Sequence, residues 1–388
     1  MAYLELVGTH DEDTQTQAQT LAKRPELEKV FVMADGHVGY QSMPIGGVTI
    51  SPSHIAPGGA GFDIGCGNWA GQTTLHVSDL DYDDLYHIGE RISKEIAIGL
   101  GIEYGTFADH TVVDDIVKET KHIGIPEITL RNQLGSVGAG NHYIDLMADT
   151  DGYIWIALHW GSRKFGHSVA KYYLDLLGAK DGMFSEPTFM RADSEMGMDY
   201  LYDMMLAGEY ADVGRRLVGI KIATQILHNT VSQVVTNHHN YIWEEQIGER
   251  LVYVTRKGAT PVYTDRLSFI GGSMGTESVI VKVRDDAEQQ AIYYHNSAPH
   301  GAGRLIGRSQ AKGRFKKGVM TREPRVTQGM MDEWVEDYGV IRFGGDVDES
   351  PHCYRNLVND VLPEHPYLQV VELLRPLVVV MAPARGRR

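Results

Sequence analysis

Cysteine is nearly absent: this 388-residue chain holds only Cys66 and Cys353. Two cysteines cannot build a disulfide framework, so a reducing, cytoplasmic setting is expected. No apolar stretch approaches the ~20 residues of a membrane span, so no membrane partner is expected. The N-terminal run MAYLELVGTHDEDTQTQ lacks a basic region followed by an apolar one, and so does not read as a signal peptide. Low-complexity segments and repeats of fixed period are missing, which excludes a solenoid. CxxC and HExxH are missing, so no standard zinc module is present. GxxxxGK[ST] is missing, which excludes a Walker-type phosphate loop. Gly65-Cys66-Gly67-Asn68-Trp69-Ala70 formally fits GxGxxA. It lacks a clear preceding strand and an identifiable βαβ unit, so a dinucleotide fold is not expected. Basic charge is also in deficit: 36 Lys and Arg face 51 Asp and Glu, a net charge of −15. That argues against a nonspecific nucleic-acid coat.

What is present is ordinary globular composition, 43% hydrophobic and 22% charged. Lys29 to Ala34 reads as a buried strand that ends at the polar loop Asp35-Gly36-His37. Asp81 to Ile98 has helical periodicity, with Leu85, Ile88, Ile92 and Ile96 on one face. Tyr153 to His159 is a strong strand, and His167 to Leu177 a helix. Met198 to Val235 reads as a long helical region with a break near Gly208. Later strands are expected at Arg250–Val254, Ser278–Val283, Ala291–Tyr294 and Leu377–Met381. Gly303 to Lys317 reads as the start of a helix, and Gly344–Pro351 as an exposed loop. Strands and helices mix without regular alternation and no linker stands out. The expectation is an α+β fold with mixed sheets surrounded by helices, one large domain over residues 1–388.

Against so little cysteine, the stretch Gly61-Phe62-Asp63-Ile64-Gly65-Cys66-Gly67 stands out. It sets a thiol three residues after an aspartate, in a loop whose glycines let the backbone approach an ion or phosphate closely. Several histidines sit beside glycines or at strand ends: His142, His159, His228 and His300. Imidazole, thiolate and carboxylate are the usual transition-metal ligands. Asp63, Cys66, His142, His159 and His228 together exceed the four ligands of a closed structural site, which points to two ions with the thiolate bridging. Ligand softness alone makes zinc the default, and the metal does not follow from ligand type.

Groups suited to phosphate are abundant. Arg163 follows a Gly-Ser turn, and Arg256 and Lys257 precede Gly258. The cluster around Ser273, Gly271-Gly272-Ser273-Met274-Gly275, can present backbone N–H groups to an anion. Gly303 to Arg325 carries eight basic residues against Glu323 alone, and Arg385, Arg387 and Arg388 form a smaller basic tail. Arg304 and Arg308, four apart, share a face if helical, and their guanidinium forks suit phosphate.

In order along the chain, the motifs resemble those of the RtcB family of RNA-splicing ligases. The matching segments are MADGHVGYQSMPIGGV, APGGAGFDIGCGN, GSVGAGNHYIDL, ALHWGSRKFGH, the His-Asn pair at 228–229, RKGATP, GGSMGTES and HGAGR followed by Arg308. The resemblance implies joining of an RNA 3′-phosphate or 2′,3′-cyclic phosphate end to a 5′-hydroxyl end, with GTP and Mn²⁺, in tRNA splicing or RNA repair. It implies that Asp63, Cys66, His142, His159 and His228 bind two manganese ions, with Cys66 shared. It implies that His300 becomes covalently guanylylated. Asn141, Asp145, Ser273, Arg304 and Tyr354 would bind the nucleotide. Arg163, Arg256, Lys257, Arg304 and Arg308 would bind phosphates or RNA. The implied partners are RNA with broken ends, such as tRNA halves, and an activating protein such as archease.

Three departures fall near the nucleotide. The family usually has glutamate where this chain has Asp145, in a motif that reads the guanine edge. It usually ends in Lys-Gly, where this chain runs Val378 to Ala382 and on to Arg388. The serine usual before Gly-Ser-Arg is Trp160. These changes bear on base specificity and ligation more than on metal binding. The alternative is a metal-dependent phosphoesterase or an end-capping nucleotidyltransferase on the same scaffold. A noncatalytic binder of RNA ends is a third class, and the presence of His300 with five ligand candidates counts against it.

Overall fold

A computed structural model describes residues 1–101, 105–316 and 319–384. Lys317 of the basic strip and the tail arginines Arg385, Arg387 and Arg388 lie outside the described residues. The fold is α+β. Its largest sheet has eight strands. Seven run in the order Ser268–Ile270, Ser278–Val283, Leu368–Pro383, Tyr143–Ala148, Tyr153–Trp160, Gly67–His76 and Val231–His238. The eighth, Ile341–Gly345, lies parallel to the far half of Leu368–Pro383. A second sheet takes Tyr3–Leu6, Lys29–His37, Ile45–Ser51, Arg250–Lys257 and Asn240–Ile247 in that order.

Composition explains the central strand. Tyr153–Trp160 (YIWIALHW) is buried at every position but the first, as suits a strand paired on both sides and covered on both faces. The long helix Glu195–Lys221 begins at Ser194, whose side chain accepts from the Gly197 N–H. It runs unbroken through Gly208, which packs against the Tyr241 ring. It continues into a π-helical turn, Ile222–Ile226. The expected helix from Met198 to Val235 therefore stops short. The β-branched run that starts at Val231 instead pairs with Gly67–His76.

Other local expectations also change. Ala291–Tyr294, expected as a strand, falls mostly in the helix Glu288–Tyr293. Within the expected helix Gly303–Lys317, only Arg308–Ala311 is helical, followed by the strand Arg314–Lys316. Gly303 breaks it with φ +71°, so Arg304 and Arg308 do not share a helix. The segment expected as an exposed loop at Gly344–Pro351 is largely buried, with Asp348 and Glu349 at 2% and 3% exposure. It carries carboxylates that pair with basic side chains, which is what makes their burial tolerable.

The chain passes from the eight-stranded sheet to the five-stranded one through a single residue. Val231–His238 belongs to the first, Asn240–Ile247 to the second, and His239 joins them. The candidate site lies at this junction.

Candidate active site

The Asp63–Cys66 loop is clamped from two sides. Gly65 takes φ +68°, and a Cβ there would stand 2.9 Å from the Cα of Gly208 in the long helix. Only glycine allows both the left-handed backbone and that approach. Arg215 of the same helix is fully buried and donates to the carbonyls of Gly65 at 2.9 Å and Trp160 at 2.5 Å. On the other side, a Cβ at Gly161 would fall 2.2 Å from Asp63 Oδ1. The turn after Trp160 thus has room for the carboxylate only because it is glycine.

The clamped loop faces three histidines. Cys66 Sγ lies 3.7 Å from His142 Nε2 and 3.6 Å from His159 Nε2, and His142 Nε2 lies 2.9 Å from Asp63 Oδ2. Two groups emerge whose donor atoms all lie within 4.8 Å: Asp63, Cys66 and His142, and Cys66, His159 and His239. Cys66 belongs to both. Strand register puts the pieces there, with His159 opposite Asn68 on one side and Tyr143 on the other. Nδ1 of His159 bonds Asn68 Oδ1 at 2.8 Å, which leaves Nε2 turned toward the thiol.

The electrostatics suit cation ligation. Burial, aided by His300, pushes His239 well below the usual imidazole range. Burial and His142 do the same to His159, so both rings are neutral ligands. Burial opposes the Asp63 charge, yet His142 holds that carboxyl down at about 2. Burial and the Asp63 charge push the Cys66 thiol well up, so a bound cation would have to displace its proton. Soft sulfur, neutral imidazole and an ionised carboxylate around one shared atom fit metal ions.

His228 is not in this cluster. It is exposed, takes φ +51°, and follows the π-helical turn. Its neighbour Asn229 accepts from the Thr74 N–H of the strand Gly67–His76 and from the Thr230 N–H, at 3.0 and 2.9 Å. The residue in its expected place is His239, whose N–H donates to Cys66 O at 2.8 Å. The signal was available, because His239-Asn240 is a second His-Asn pair and it lies closer to RKGATP. Asn240 Oδ1 accepts from Gly258 N–H at 2.8 Å, and its amide donates to Asp63 O at 3.3 Å.

His300 stands beside this cluster, its ring centroid 4.8 Å from that of His239. Asp35, fully buried, accepts from His300 Nδ1 at 2.6 Å, from the His300 N–H at 3.0 Å and from the Gly301 N–H at 3.3 Å. In the neutral ring, Nδ1 therefore carries the proton and Nε2 the lone pair. Burial opposes the Asp35 charge, but His300 holds it below the usual carboxylate range. Asp35, expected in a loop, lies within the strand Lys29–His37. Sequence reading gave it no role.

Both groups open on a cleft of about 1100 Å³. Asn141, Asp145, Ser273, Arg304, Arg308 and Tyr354 line it. Arg304 donates to the Tyr354 hydroxyl at 2.6 Å and to Glu349 at 3.3 Å, and Arg308 lies 2.9 Å from Glu349. Three expected phosphate ligands are absent from the lining among the described residues. Arg256 is fully buried, bonded to Ser297 Oγ, His295 O and Glu245, with its guanidinium over the Trp243 ring. Lys257 spends its ammonium on the carbonyls of Tyr40 at 2.8 Å and Gly58 at 3.1 Å. A buried cation held by such partners away from the cleft is a brace and does not reach a ligand. Arg163 lies behind the Asp63–His142 pair, bonded to Gly99 O and Ser136 Oγ.

A family model described as tRNA-splicing ligase RtcB matches residues 17–129 and 126–382. The chain belongs to the RtcB family. It is 29% identical over 401 residues to RNA-splicing ligase RtcB of Escherichia coli K12, covering 95% of this chain and 94% of that protein. It is 24% identical over 472 residues to tRNA-splicing ligase RtcB of Nanoarchaeum equitans, covering 97% and 93%. RNA-splicing ligase RtcB2 of a second Escherichia coli strain is 28% identical over 313 residues, 77% of this chain and 74% of that one. At these identities the chain is a divergent RtcB member. Among the described residues no helix is long and apolar enough to cross a membrane.

Proposed function

We propose that this protein is an RNA ligase that joins 3′-phosphate or 2′,3′-cyclic phosphate ends to 5′-hydroxyl ends, using GTP and two Mn²⁺ ions. One observation carries the reading: Cys66 is shared by two ligand groups, one of which includes His239, whose ring lies 4.8 Å from that of an oriented His300. Relatives named as RNA-splicing and tRNA-splicing ligases support the substrate class. The cleft is lined by residues from Asp11 to Met381, so we treat residues 1–388 as one catalytic unit.

Asp63, Cys66 and His142 would hold one ion, and Cys66, His159 and His239 the other. Bound there, the ions would orient phosphate oxygens and offset leaving-group charge. Manganese rather than zinc comes from the family reading, not from the donor set. His300 Nε2 attacks the α-phosphorus of GTP. A P–N bond forms, and the bond to pyrophosphate breaks. Asp35 holds the Nδ1 proton and stabilises the positive ring that forms. The GMP then passes to an RNA 3′-phosphate oxygen, and the P–N bond breaks. The RNA 5′-hydroxyl attacks the activated 3′-phosphorus and GMP leaves. A cyclic phosphate is first opened by hydrolysis. Arg304 and Arg308 are paired with Glu349 in this structure and can exchange it for phosphate oxygens. The RNA is a broken strand, such as tRNA halves, and an activating protein of the archease kind belongs to the same proposal.

The test is direct. Protein is incubated with Mn²⁺ and α-labelled GTP or ATP, then with RNA bearing 3′-phosphate and 5′-hydroxyl ends. A labelled adduct with GTP that His300→Ala abolishes, and a joined RNA, are expected. No adduct with either nucleotide overturns the ligase reading. An adduct without joining moves the protein to the end-capping alternative.

A further inference from the structure

Two large apolar side chains, Met183 and Phe184, line the cleft while remaining 47% and 52% exposed. The chain spends buried polar groups to present them. The Gln41 N–H donates to Gly182 O at 3.0 Å and the Ser42 N–H to Met183 O at 2.8 Å. Gln17 Nε2 donates to the same Met183 carbonyl at 2.6 Å, and Ser42 Oγ to Ser185 O at 3.0 Å. Gln17, Gln41 and Ser42 are all buried. Gln41 and Ser42 take φ +54° and +52°, a left-handed backbone unusual outside glycine. Such strain persists only where its surroundings fix it, and it gathers at functional sites. The backbone on both sides of Phe184 is therefore pinned, and the ring is offered on a rigid support.

Charge divides the mouth of the cleft. Gln17 belongs to the helix Glu12–Ala22, whose start puts Asp11, Glu12 and Asp13 in the lining. Arg308 and Arg322 line the same cleft from the segment after His300. Arg322 is exposed and pairs across a two-stranded ribbon with Arg314, also exposed. Like charges directly opposite one another repel, and among the described residues no carboxylate pairs with either. An anion beside them relieves that repulsion. A strand of phosphates is drawn to the arginines and repelled by the acidic turn, which leaves its bases toward the Phe184 loop.

We propose that Phe184 is a stacking platform for a base of the single-stranded RNA that enters the cleft, with the RNA backbone running along Arg322. The inference rests on the RNA-end reading above and adds binding residues remote from the reacting groups. Every base has a π-face, so the platform holds a strand without choosing its sequence.

The test measures binding by fluorescence anisotropy on the full-length protein. The probes are a labelled single-stranded RNA of about ten nucleotides with a 3′-phosphate, and a strand of equal length whose nucleotides lack bases. Phe184→Ala and Phe184→Leu should each weaken the base-bearing strand about tenfold. Phe184→Trp, which keeps a ring, should hold it within about twofold. None of the three should move the abasic strand by more than about twofold. Arg322→Ala should weaken both strands alike and lower the slope of log affinity against log salt by about 0.7. The platform is overturned if Phe184→Ala binds both strands as the unaltered protein does, loses both equally, or if Phe184→Leu binds as well as Phe184→Trp. Unchanged affinity and salt slope in Arg322→Ala overturn the backbone path. Each of these results leaves the RNA reading standing, whereas an unaltered protein that binds neither strand sinks both.

Discussion

The two walls of the cleft use positive charge in opposite ways. On the wall that carries Cys66, Arg215 is fully buried, its Nη1 donating to the backbone carbonyls of Gly65 and Trp160 and its Nη2 to His238 Nδ1. On the facing wall, Arg308 is half exposed and paired with the carboxylate of Glu349, which Arg304 also meets while bonding the carbonyls of Asp348 and Ile306. A backbone carbonyl deep in the protein cannot be exchanged without leaving a buried polar atom unpaired. A side-chain carboxylate at a cleft can give way to a phosphate oxygen of the same charge and similar geometry. The first wall is therefore built to hold a loop still, and the second to trade partners. Arg256 and Lys257 belong with Arg215, despite a sequence context that suggested phosphate.

The comparison can be broken experimentally, and the largest effect is expected at the shared sulfur. Cys66→Ala should lose metal at both ligand groups and abolish adduct formation, while circular dichroism stays native. Retention of two ions by elemental analysis would contradict sharing. Arg215→Ala should come next, leaving the Gly65 and Trp160 carbonyls unpaired. A loss of about 3–5 kcal/mol in urea unfolding is expected. A loss below about 1 kcal/mol would show that the loop is held by other means.

Arg308→Ala should behave in the reverse manner. Its stability should fall less than that of Arg215→Ala, since the side chain is half exposed and Arg304 and Lys312 still meet the buried carboxylates of Glu349 and Asp348. Affinity for GTP or for 3′-phosphate RNA should fall about tenfold, the value of one charge-assisted contact. Lys257 supplies a smaller and pH-dependent test. Burial lowers its ammonium to about 7, below the unfolded value of about 10.4. Below pH 7 the ammonium is charged in both states and the cost of burying it is fully present. As pH climbs from about 7 toward 10, the folded protein sheds a proton that the unfolded chain keeps, so stability should rise. Lys257→Met should flatten that rise in urea midpoints taken at several pH values. An unchanged slope would mean that the two carbonyl bonds keep the ammonium charged. The smallest effect is expected from His228→Ala, which should leave metal content and adduct formation unchanged, whereas His239→Ala should lower both.

Strands with an unbroken apolar run were legible from sequence. Tyr153–Trp160 and Ser278–Val283 lie where their composition put them. Segments decided by distant partners were not. Val231–Val235 follows directly on a long helical pattern, but it meets the open edge of Gly67–His76 and becomes a strand. The stretch around Asp348 reads as exposed because it is acidic. It is buried because Arg308 and Lys312 meet those carboxylates from a segment some forty residues earlier. Of the site, Asp63, Cys66, His142, His159 and His300 were picked out by type and glycine-rich context, and the structure brings them together. Asp35 escaped notice because its role is a contact with His300 across 265 positions.

The chain by itself determined the chemistry available: one thiol in a glycine loop, histidines at strand ends, and an ordered set of motifs that identifies the family. Those are properties of residue type and order, which folding does not alter. The tertiary structure alone decided which groups meet. It chose His239 over His228, because one lies where the chain crosses between two sheets and the other on an exposed turn. It spent Arg256 and Lys257 inside the protein and left Tyr143 and Asp145 unpaired at the cleft. Whether a polar side chain is a brace or a ligand depends on which partners packing brings within about 3 Å of it. Spacing along the chain does not encode that distance.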